Sequence, residues 1–264
     1  MTEENLGDIE TGRADSATAP AERNPVRSWV WKLAVGLFAM TGLILLAATV
    51  DQSLSWPRVR GLATRPPERT AFIDRYIARQ REAGQPSDLQ WRWVPYDSIS
   101  ANLKRAVLVA EDIEFFSHSG FAISEIKLAA REALAGDREL RGASTITQQL
   151  AKNLWLSPSR NPLRKAKEAL LTIQLERSLS KKRILELYLN VVEFGPGIYG
   201  AEAAAQSYFS KSASQLSAAE AAQLAASLPR PLRWNPRSDS ESYRRYASQI
   251  VERMDRAQFL RRRI

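Results

Sequence analysis

Apolar residues recur three and four positions apart along most of the chain after residue 100, which is the spacing of one face of an α-helix. The clearest rows are Leu103, Ala106, Val107 and Ala110, and then Ile184, Leu187, Tyr188 and Val191. A capping box formed by Ser217 and Glu220 opens an Ala/Leu-rich helix that is expected to stop before Pro229. The sequence shows no sustained alternation of apolar and polar residues, so it predicts a mainly α-helical domain.

A proline-rich stretch leads into this helical region. Five prolines fall between residues 52 and 95, and one short helix is expected from Thr70 to Glu82. We therefore interpret residues 52–90 as a connector. Residues 91–264 are interpreted as the folded domain, which ends in a basic helix.

Pro162 begins another segment with helical spacing, and proline is favoured in the first turn of a helix. The residues expected to face the core are Leu163, Ala166, Leu170 and Ile173. Arg164 and Glu168 would then lie on the opposite side, where an exposed ion pair contributes roughly 0.3–0.5 kcal/mol. The alternative is a clamp for pyrophosphate, because arginine binds two oxygens at once. The basic residues that would complete the clamp are Lys152, Lys165 and Lys167.

A long uncharged run lies near the start of the chain, from Leu33 to Val50. Its 18 residues approach the ~20 that a helix needs to cross a bilayer. We predict a transmembrane anchor over residues 29–51, preceded by a disordered tail over residues 1–28. A buried core helix and a cleaved signal peptide are the alternatives.

The distribution of charge indicates the orientation of this anchor and the class of partner. Arg23, Arg27 and Lys32 precede the span, so the positive-inside rule predicts a cytoplasmic N-terminus and an external remainder. The 264 residues carry 38 Lys+Arg and 29 Asp+Glu. Residues 1–50 hold four Lys/Arg and six Asp/Glu, which leaves +11 on the external part. Outside the membrane the available polyanions are lipids and wall polymers, so a nucleic-acid partner is disfavoured.

Composition excludes several kinds of site. The chain has no cysteine and a single histidine, His118. Disulfides, thiol nucleophiles, Cys-ligated zinc and multi-histidine metal sites are therefore excluded. Carboxylate and hydroxyl side chains remain as the groups that could carry chemistry.

Two acidic residues, Glu111 and Asp112, end the apolar helix that contains Val107. The helix dipole disfavours carboxylates at this end, so their position conflicts with local stability and indicates function. The alternative is a solvated face with a capping acid. His118 follows closely and by itself is typical of a hydrogen-bonded structural histidine.

A second polar stretch runs from Gly142 to Asn153 and contains more hydrogen-bonding side chains than a core requires. If Ser144 is the N-cap of a helix, Gln148 and Lys152 share one face, and Gln149 and Asn153 share another. Such a row suits sugar hydroxyls or phosphate oxygens. A polar amphipathic helix is the alternative.

The segment from Gly195 to Gly200 matches the sequence pattern GxGxxG of a dinucleotide-binding loop. That loop functions only between a strand and a helix of a βαβ unit. Here the preceding residues have helical spacing, so we interpret the glycines as a helix C-terminus followed by a tight turn.

Taken together and in order, the strings EDIEFFSHSGF, GASTITQQLAKN, RKAKEALLTIQLE and KKRILELYLNVVEFGPGIYGAEAAAQSYF resemble the successive motifs of the peptidoglycan glycosyltransferases, glycosyltransferase family 51. The resemblance covers about residues 91–236 and implies a lysozyme-like helical domain. Only a short basic segment follows, so a monofunctional enzyme without a transpeptidase domain is expected.

The resemblance also implies roles for individual residues. The catalytic base corresponds to Glu111 and a second essential glutamate to Glu168. The first motif departs from the family at Ile113 and Glu114, where a basic pair is common. Residues matching the other substrate-lining positions are Asp112, Phe115, His118, Ser144, Thr145, Gln149, Lys152, Asn153 and Arg164.

The implied reaction is the polymerisation of lipid II, a lipid-linked disaccharide pentapeptide, on the outer face of the bacterial inner membrane. The implied partners are lipid II, the growing glycan strand and membrane lipids, with other cell-wall synthesis proteins left open and nucleic acid excluded. No cofactor is required, although a divalent cation (Mg²⁺ or Mn²⁺) can accompany the substrate pyrophosphate. Two rival functions are kept: a lysozyme-like glycan hydrolase and a non-enzymatic, membrane-tethered wall-binding scaffold.

Overall fold

The computed structural model describes residues 35–40, 42, 57–122, 144–158 and 162–264, which fall in two units divided after Trp56. In the first unit the described residues are helical. Most of the predicted anchor, residues 29–51, lies outside the described residues, as does the predicted tail. Among the residues described, the helices are too short or too polar to cross a bilayer.

The second unit, residues 57–264, is built mainly from helices, which confirms the predicted fold class at this level. Short 3₁₀ turns and three very short strands join the helices. The helices described here are α1 (Ala71–Glu82), α2 (Ala101–Glu111), α3 (Ile146–Trp155), α4 (Pro162–Ser178), α5 (Lys181–Val191), α6 (Ala201–Phe209), α7 (Ala218–Ser227) and α8 (Glu241–Arg256).

Hydroxyl side chains set the starts of several helices by accepting a hydrogen bond from an otherwise unpaired backbone N–H. Thr70 caps α1 through the Ile73 N–H, so the predicted helix at this position is confirmed with Thr70 as its cap. Ser217 and Glu220 form the predicted capping box of α7. The prediction for α3 was wrong by one residue: Thr145, and not Ser144, is the cap, because its side chain forms a capping box with Gln148.

The core is centred on α2 and α3. Helix α2 packs against α7 and α8, whereas α3 packs against α1, α4 and α5. Leu103, Val107 and Leu108 of α2 are fully buried, and so is Leu150 of α3. Because both helices are anchored in the core, the residues at the end of α2 and the side chains of α3 have fixed positions.

A three-stranded sheet, which the sequence pattern did not predict, covers one end of the core. Strand β3 (Ile198–Tyr199) lies between β1 (Gln90–Trp91), which is parallel to it, and β2 (Glu193–Gly195), which is antiparallel. The strands are two or three residues long, too short to show an alternating pattern. The side-chain amide of Asn190 holds the chain next to β1, donating to the Val94 carbonyl and accepting from the Val94 N–H.

The glycines of the GxGxxG pattern lie in and beside this sheet, so the predicted tight turn is present, but the predicted helix C-terminus was wrong because the preceding helix ends at Val191. Gly195 ends β2, and Gly197 lies in the turn to β3 with a φ of 72°. Gly200 has a φ of 82°, and a Cβ there would lie 2.6 Å from the Asn190 carbonyl oxygen. Only glycine fits such a position without displacing backbone.

Helix α4 turns the side that carries Glu168 inward, which reverses the predicted orientation. Leu163 is 78% exposed and Leu170 is 54% exposed, whereas Glu168 is only 3% exposed. Ala166 is also exposed, and Ile173 is only partly buried. The side that faces the core carries Glu168, Leu171, Thr172 and Leu175. The orientation differs because Glu168 has charged partners beside the site described below, which offset the cost of burying it.

Candidate active site

Glu111 is the last residue of α2 and is partly exposed. Its Oε2 atom accepts a hydrogen bond of 2.8 Å from the side-chain amide of Gln149 on α3. Burial raises the pKa of the Glu111 carboxyl above its ordinary value of 4.5, and the charge of Asp112 adds to this shift. The hydrogen bond from Gln149 and the charge of Lys152 oppose it. The result is a carboxylate that accepts a proton more readily than an exposed glutamate.

Gln149 is itself held by Tyr188 of α5, a residue that the sequence pattern predicts only as part of an apolar helix face. The Tyr188 hydroxyl donates to the Gln149 Oε1 atom at 2.8 Å. This bond fixes which end of the amide faces Glu111, because Oε1 is occupied and the NH₂ group remains for the carboxylate. Tyr188 is fully buried, so its hydroxyl needs a hydrogen-bond partner. The signal available in the sequence was a tyrosine on an otherwise apolar helix face.

Asp112, His118 and Thr145 form a network beside Glu111 that joins α2 to α3. The His118 Nε2 atom lies 2.9 Å from Asp112 Oδ1, and the Gly120 N–H donates to His118 Nδ1, so Nε2 carries the proton. The other Asp112 oxygen accepts from the Ile146 N–H at 3.0 Å. Thr145 adds a bond from its hydroxyl to the Gly120 carbonyl. The network positions the start of α3, and with it Gln149.

A second group of charges surrounds Glu168 on α4. Glu168 Oε2 accepts from Arg164 Nη1 at 2.6 Å, and Glu168 Oε1 accepts from Lys165 Nζ. Lys152 on α3 interacts electrostatically with both Glu168 and Glu111. Burial lowers its pKa from 10.5, Arg164 and Lys165 lower it further, and Glu168 and Glu111 oppose the shift. Lys152 therefore interacts electrostatically with both carboxylates, which favour its charged form.

This arrangement puts a proton acceptor and a cluster of cations into one site. A carboxylate with a raised pKa suits general-base catalysis near neutral pH. Lys152 and Arg164 offer positive charge where an anionic leaving group would develop. Among the described residues, no group of three or more His, Asp or Glu side chains is arranged as a metal site.

Comparisons with known proteins agree with this geometry. The family model described as Transglycosylase matches residues 79–255. The chain belongs to this family. A protein of Thiobacillus denitrificans named biosynthetic peptidoglycan transglycosylase is 45% identical over 217 residues, which cover 82% of this chain and 91% of that protein. Proteins of the same name are 43% identical in Azoarcus sp. and 44% identical in Alcanivorax borkumensis. The alignments cover 86% and 83% of this chain and 95% and 86% of those proteins, respectively.

The other residues predicted for the transglycosylase site occupy different surroundings. Ser144 is partly buried, and its carbonyl lies 3.4 Å from the Gln149 amide nitrogen. Asn153 is 5% exposed and donates to the Gln149 backbone carbonyl, so its amide is used within α3. Phe115 is fully buried, with the Lys181 ammonium 4.5 Å from its ring centroid. Phe115 and Asn153 thus support the site from the core.

Proposed function

We propose that this chain polymerises lipid II into β-1,4 glycan strands and releases undecaprenyl pyrophosphate with inversion at the donor anomeric carbon. The transglycosylase family and the names of its relatives support glycan polymerisation. The observation that carries the proposal is that Lys152 lies within electrostatic range of two glutamates with different surroundings. Glu111 accepts from a neutral amide, and Glu168 accepts from two cations.

Glu111 acts as the general base in this proposal. Its carboxylate takes the proton of the acceptor sugar's 4-hydroxyl while that oxygen forms a bond to the donor anomeric carbon. The bond from that carbon to the pyrophosphate oxygen breaks, and the leaving group keeps the electron pair. A single displacement inverts the anomeric carbon. The raised pKa of Glu111 favours this transfer, because a weaker acid has a stronger conjugate base.

Lys152 and Arg164 stabilise the negative charge that develops on the departing pyrophosphate. Glu168 is a positioning residue for Arg164, to which it is bound at 2.6 Å. A buried ion pair of this geometry restricts the guanidinium to one orientation. No proposed step requires a metal ion, and a divalent cation would have the substrate pyrophosphate as its ligand.

The domain is proposed to have a lysozyme-like helical arrangement and to work outside the cytoplasmic membrane. An anchor over residues 29–51 would keep it next to its lipid-linked substrate. The positive-inside rule gives the short N-terminal tail a cytoplasmic location. The basic character of the external part, +11 after residue 50, favours an anionic lipid and an anionic membrane surface.

Incubation with two substrates tests this function. Purified lipid II should yield glycan polymer and undecaprenyl pyrophosphate. Finished glycan without lipid should remain intact, since it offers no pyrophosphate for Lys152 and Arg164. Cleavage of finished glycan with no polymer from lipid II would identify a hydrolase instead. Inactivity on both substrates, with a folded protein, would favour a wall-binding scaffold.

A further inference from the structure

A cavity of about 460 Å³ opens on the unit formed by residues 57–264, apart from the residues assigned to the reaction. It lies among helix α1, the segment after α3, the start of β2 and the segment after α7. Its walls include Arg75, Arg79, Arg230 and Arg233, together with Phe72 and the exposed Leu232. This arginine cavity, defined by those six side chains, combines a high density of positive charge with an apolar edge.

The four arginines carry charge that the described part of the chain leaves largely uncompensated. Within the part of the chain that the structure describes, none of them forms an ion pair with an Asp or Glu. Elsewhere in this unit, basic side chains do pair, as Arg183 does with Glu186 and Lys211 with Glu220. Burial lowers the pKa of Arg75, and the like charge of Arg79 lowers it further. The cluster therefore contains repulsion that an external anion would relieve.

The one carboxyl group in the wall of the cavity, that of Glu193, compensates this charge poorly. Burial raises its pKa, and the positive charge of Arg79 only partly opposes the shift. With one carboxyl group against four guanidinium groups, the arginine cavity is cationic as a whole.

Aromatic contacts connect the arginine cavity to the catalytic base. The Arg230 guanidinium lies 5.1 Å from the centroid of the Trp234 ring, and that ring lies 6.1 Å from the ring of Tyr246. The Tyr246 hydroxyl donates to the carbonyl of Ala110 at 3.4 Å, immediately before Glu111. The wall of the cavity and the end of α2 thus belong to one contiguous set of packed groups.

A second connection leads from the cavity to the proposed pyrophosphate site. Pro158 lines the cavity and follows Lys152 by six residues. The helical part from Lys152 to Trp155 rises about 4.5 Å. The three residues after it span at most ~10 Å, so the two positions are within about 15 Å. An extended pentapeptide spans about 17 Å, which is long enough to bridge them.

We infer that the arginine cavity binds the carboxylate of the peptide carried by the lipid-linked donor. This assignment rests on the proposed function, in which the donor is a disaccharide pentapeptide held at its pyrophosphate by Lys152 and Arg164. A pentapeptide ends in a carboxylate, and the planar guanidinium binds a carboxylate through two parallel hydrogen bonds. Phe72 and Leu232 provide apolar surface for small peptide side chains.

Binding of a soluble disaccharide pentapeptide, with and without amidation of its terminal carboxylate, tests this site directly. The wild type should bind the free acid more tightly than the amide, and the preference should shrink at high salt because three of the arginines are exposed. The double variant Arg79→Gln/Arg233→Gln should weaken binding of the free acid by about three- to ten-fold and remove the preference. Arg245→Gln, an exposed arginine of α8, is the matched control and should behave as the wild type.

The same variants in lipid II polymerisation separate this inference from the proposed function. We expect the double variant to raise KM for lipid II with little change in kcat, and amidated lipid II to raise KM for the wild type alone. Equal binding of the acid and the amide by the wild type would overturn the carboxylate site. So would binding of inorganic phosphate or phosphatidylglycerol vesicles that depends on Arg79 and Arg233 while the peptide acid does not compete. A wild type that binds the peptide acid selectively but makes no polymer would contradict the proposed function and leave the site supported.

Discussion

Glu111 and Glu168 both interact electrostatically with Lys152, and the surroundings of the two glutamates differ in kind. Glu111 is partly exposed and accepts a hydrogen bond from the neutral amide of Gln149. Glu168 is 3% exposed and accepts from the charged side chains of Arg164 and Lys165. A neutral donor stabilises a carboxylate less than two cations do. The first environment keeps a carboxylate basic and reachable, whereas the second fixes the positions of cations.

Of the variants that test this comparison, Glu111→Gln should have the largest effect on the reaction rate. The amide keeps the size of the side chain but cannot take the proton of the acceptor hydroxyl. Polymerisation of lipid II should fall by about 100-fold or more, the usual contribution of a general base. The melting temperature should not decrease, because an amide avoids the cost of burying a charge. More than a tenth of wild-type turnover in a folded variant would remove Glu111 from this role.

Replacing Lys152 by Ala tests the cation that the two glutamates share. Because Lys152 is proposed to stabilise the departing pyrophosphate, turnover should fall by about 10- to 100-fold. Affinity for a pyrophosphate-bearing donor analogue should fall as well, which would distinguish this variant from Glu111→Gln. Lys211→Ala, in an ion pair with Glu220, is a control for the loss of a lysine. Unchanged affinity and turnover would show that Lys152 has only a structural role.

Tyr188→Phe tests the surroundings of Glu111, because it removes the hydrogen bond that orients Gln149. Without it the amide can turn its oxygen toward Glu111, so the hydrogen bond that lowers the Glu111 pKa weakens. A higher pKa means that more base is protonated at a given pH. The acidic limb of the pH–rate profile should therefore move to higher pH, with about a three- to ten-fold loss of rate at neutral pH.

Tyr243→Phe is the matched control for this variant. Tyr243 is also buried, and its hydroxyl donates to the Gln223 carbonyl at 3.0 Å. This control should lose stability to a similar extent, about 1 kcal/mol for one hydrogen bond, without moving the acidic limb. An identical profile in Tyr188→Phe and the wild type would show that the orientation of Gln149 does not depend on Tyr188.

The smallest effect is expected on the outer side of α4, opposite the Glu168 cluster. Leu170→Ser should change the free energy of unfolding by no more than about 0.5 kcal/mol, because Leu170 is 54% exposed. Its neighbour Leu171 is fully buried, and Leu171→Ala should cost about 2–5 kcal/mol. Chemical denaturation measures both. Equal costs would contradict the orientation of this helix.

The sequence was sufficient to predict most helices and the position of Glu111 at a helix end. Apolar spacing predicted α2 and α5, and a capping box predicted α7, because these signals are local and act within one turn. The position of Glu111 at the end of α2 was predicted in the same way, from a carboxylate at an unfavourable helix terminus. Local rules therefore marked Glu111 as an anomaly before any tertiary contact was known.

Tertiary contacts decided the features that the sequence pattern missed. The inward side of α4 follows from Glu168 pairing with Arg164 and Lys165, and periodicity alone favours apolar residues on that side. The bond from Tyr188 to Gln149 joins residues 39 apart. Strands of two or three residues form because the chain around Asn190 brings them together. No pattern within one window of sequence contains these partners.

The pH dependence of kcat/KM for lipid II polymerisation by the wild type tests the central claim most directly, namely that an ionised Glu111 and a protonated Lys152 act together. The structure raises the Glu111 pKa above 4.5 and lowers the Lys152 pKa below 10.5. The profile should therefore be bell-shaped, rising through an acidic limb above pH 4.5 and falling through an alkaline limb below pH 10.5. A rate that stays constant across both limbs would contradict the account.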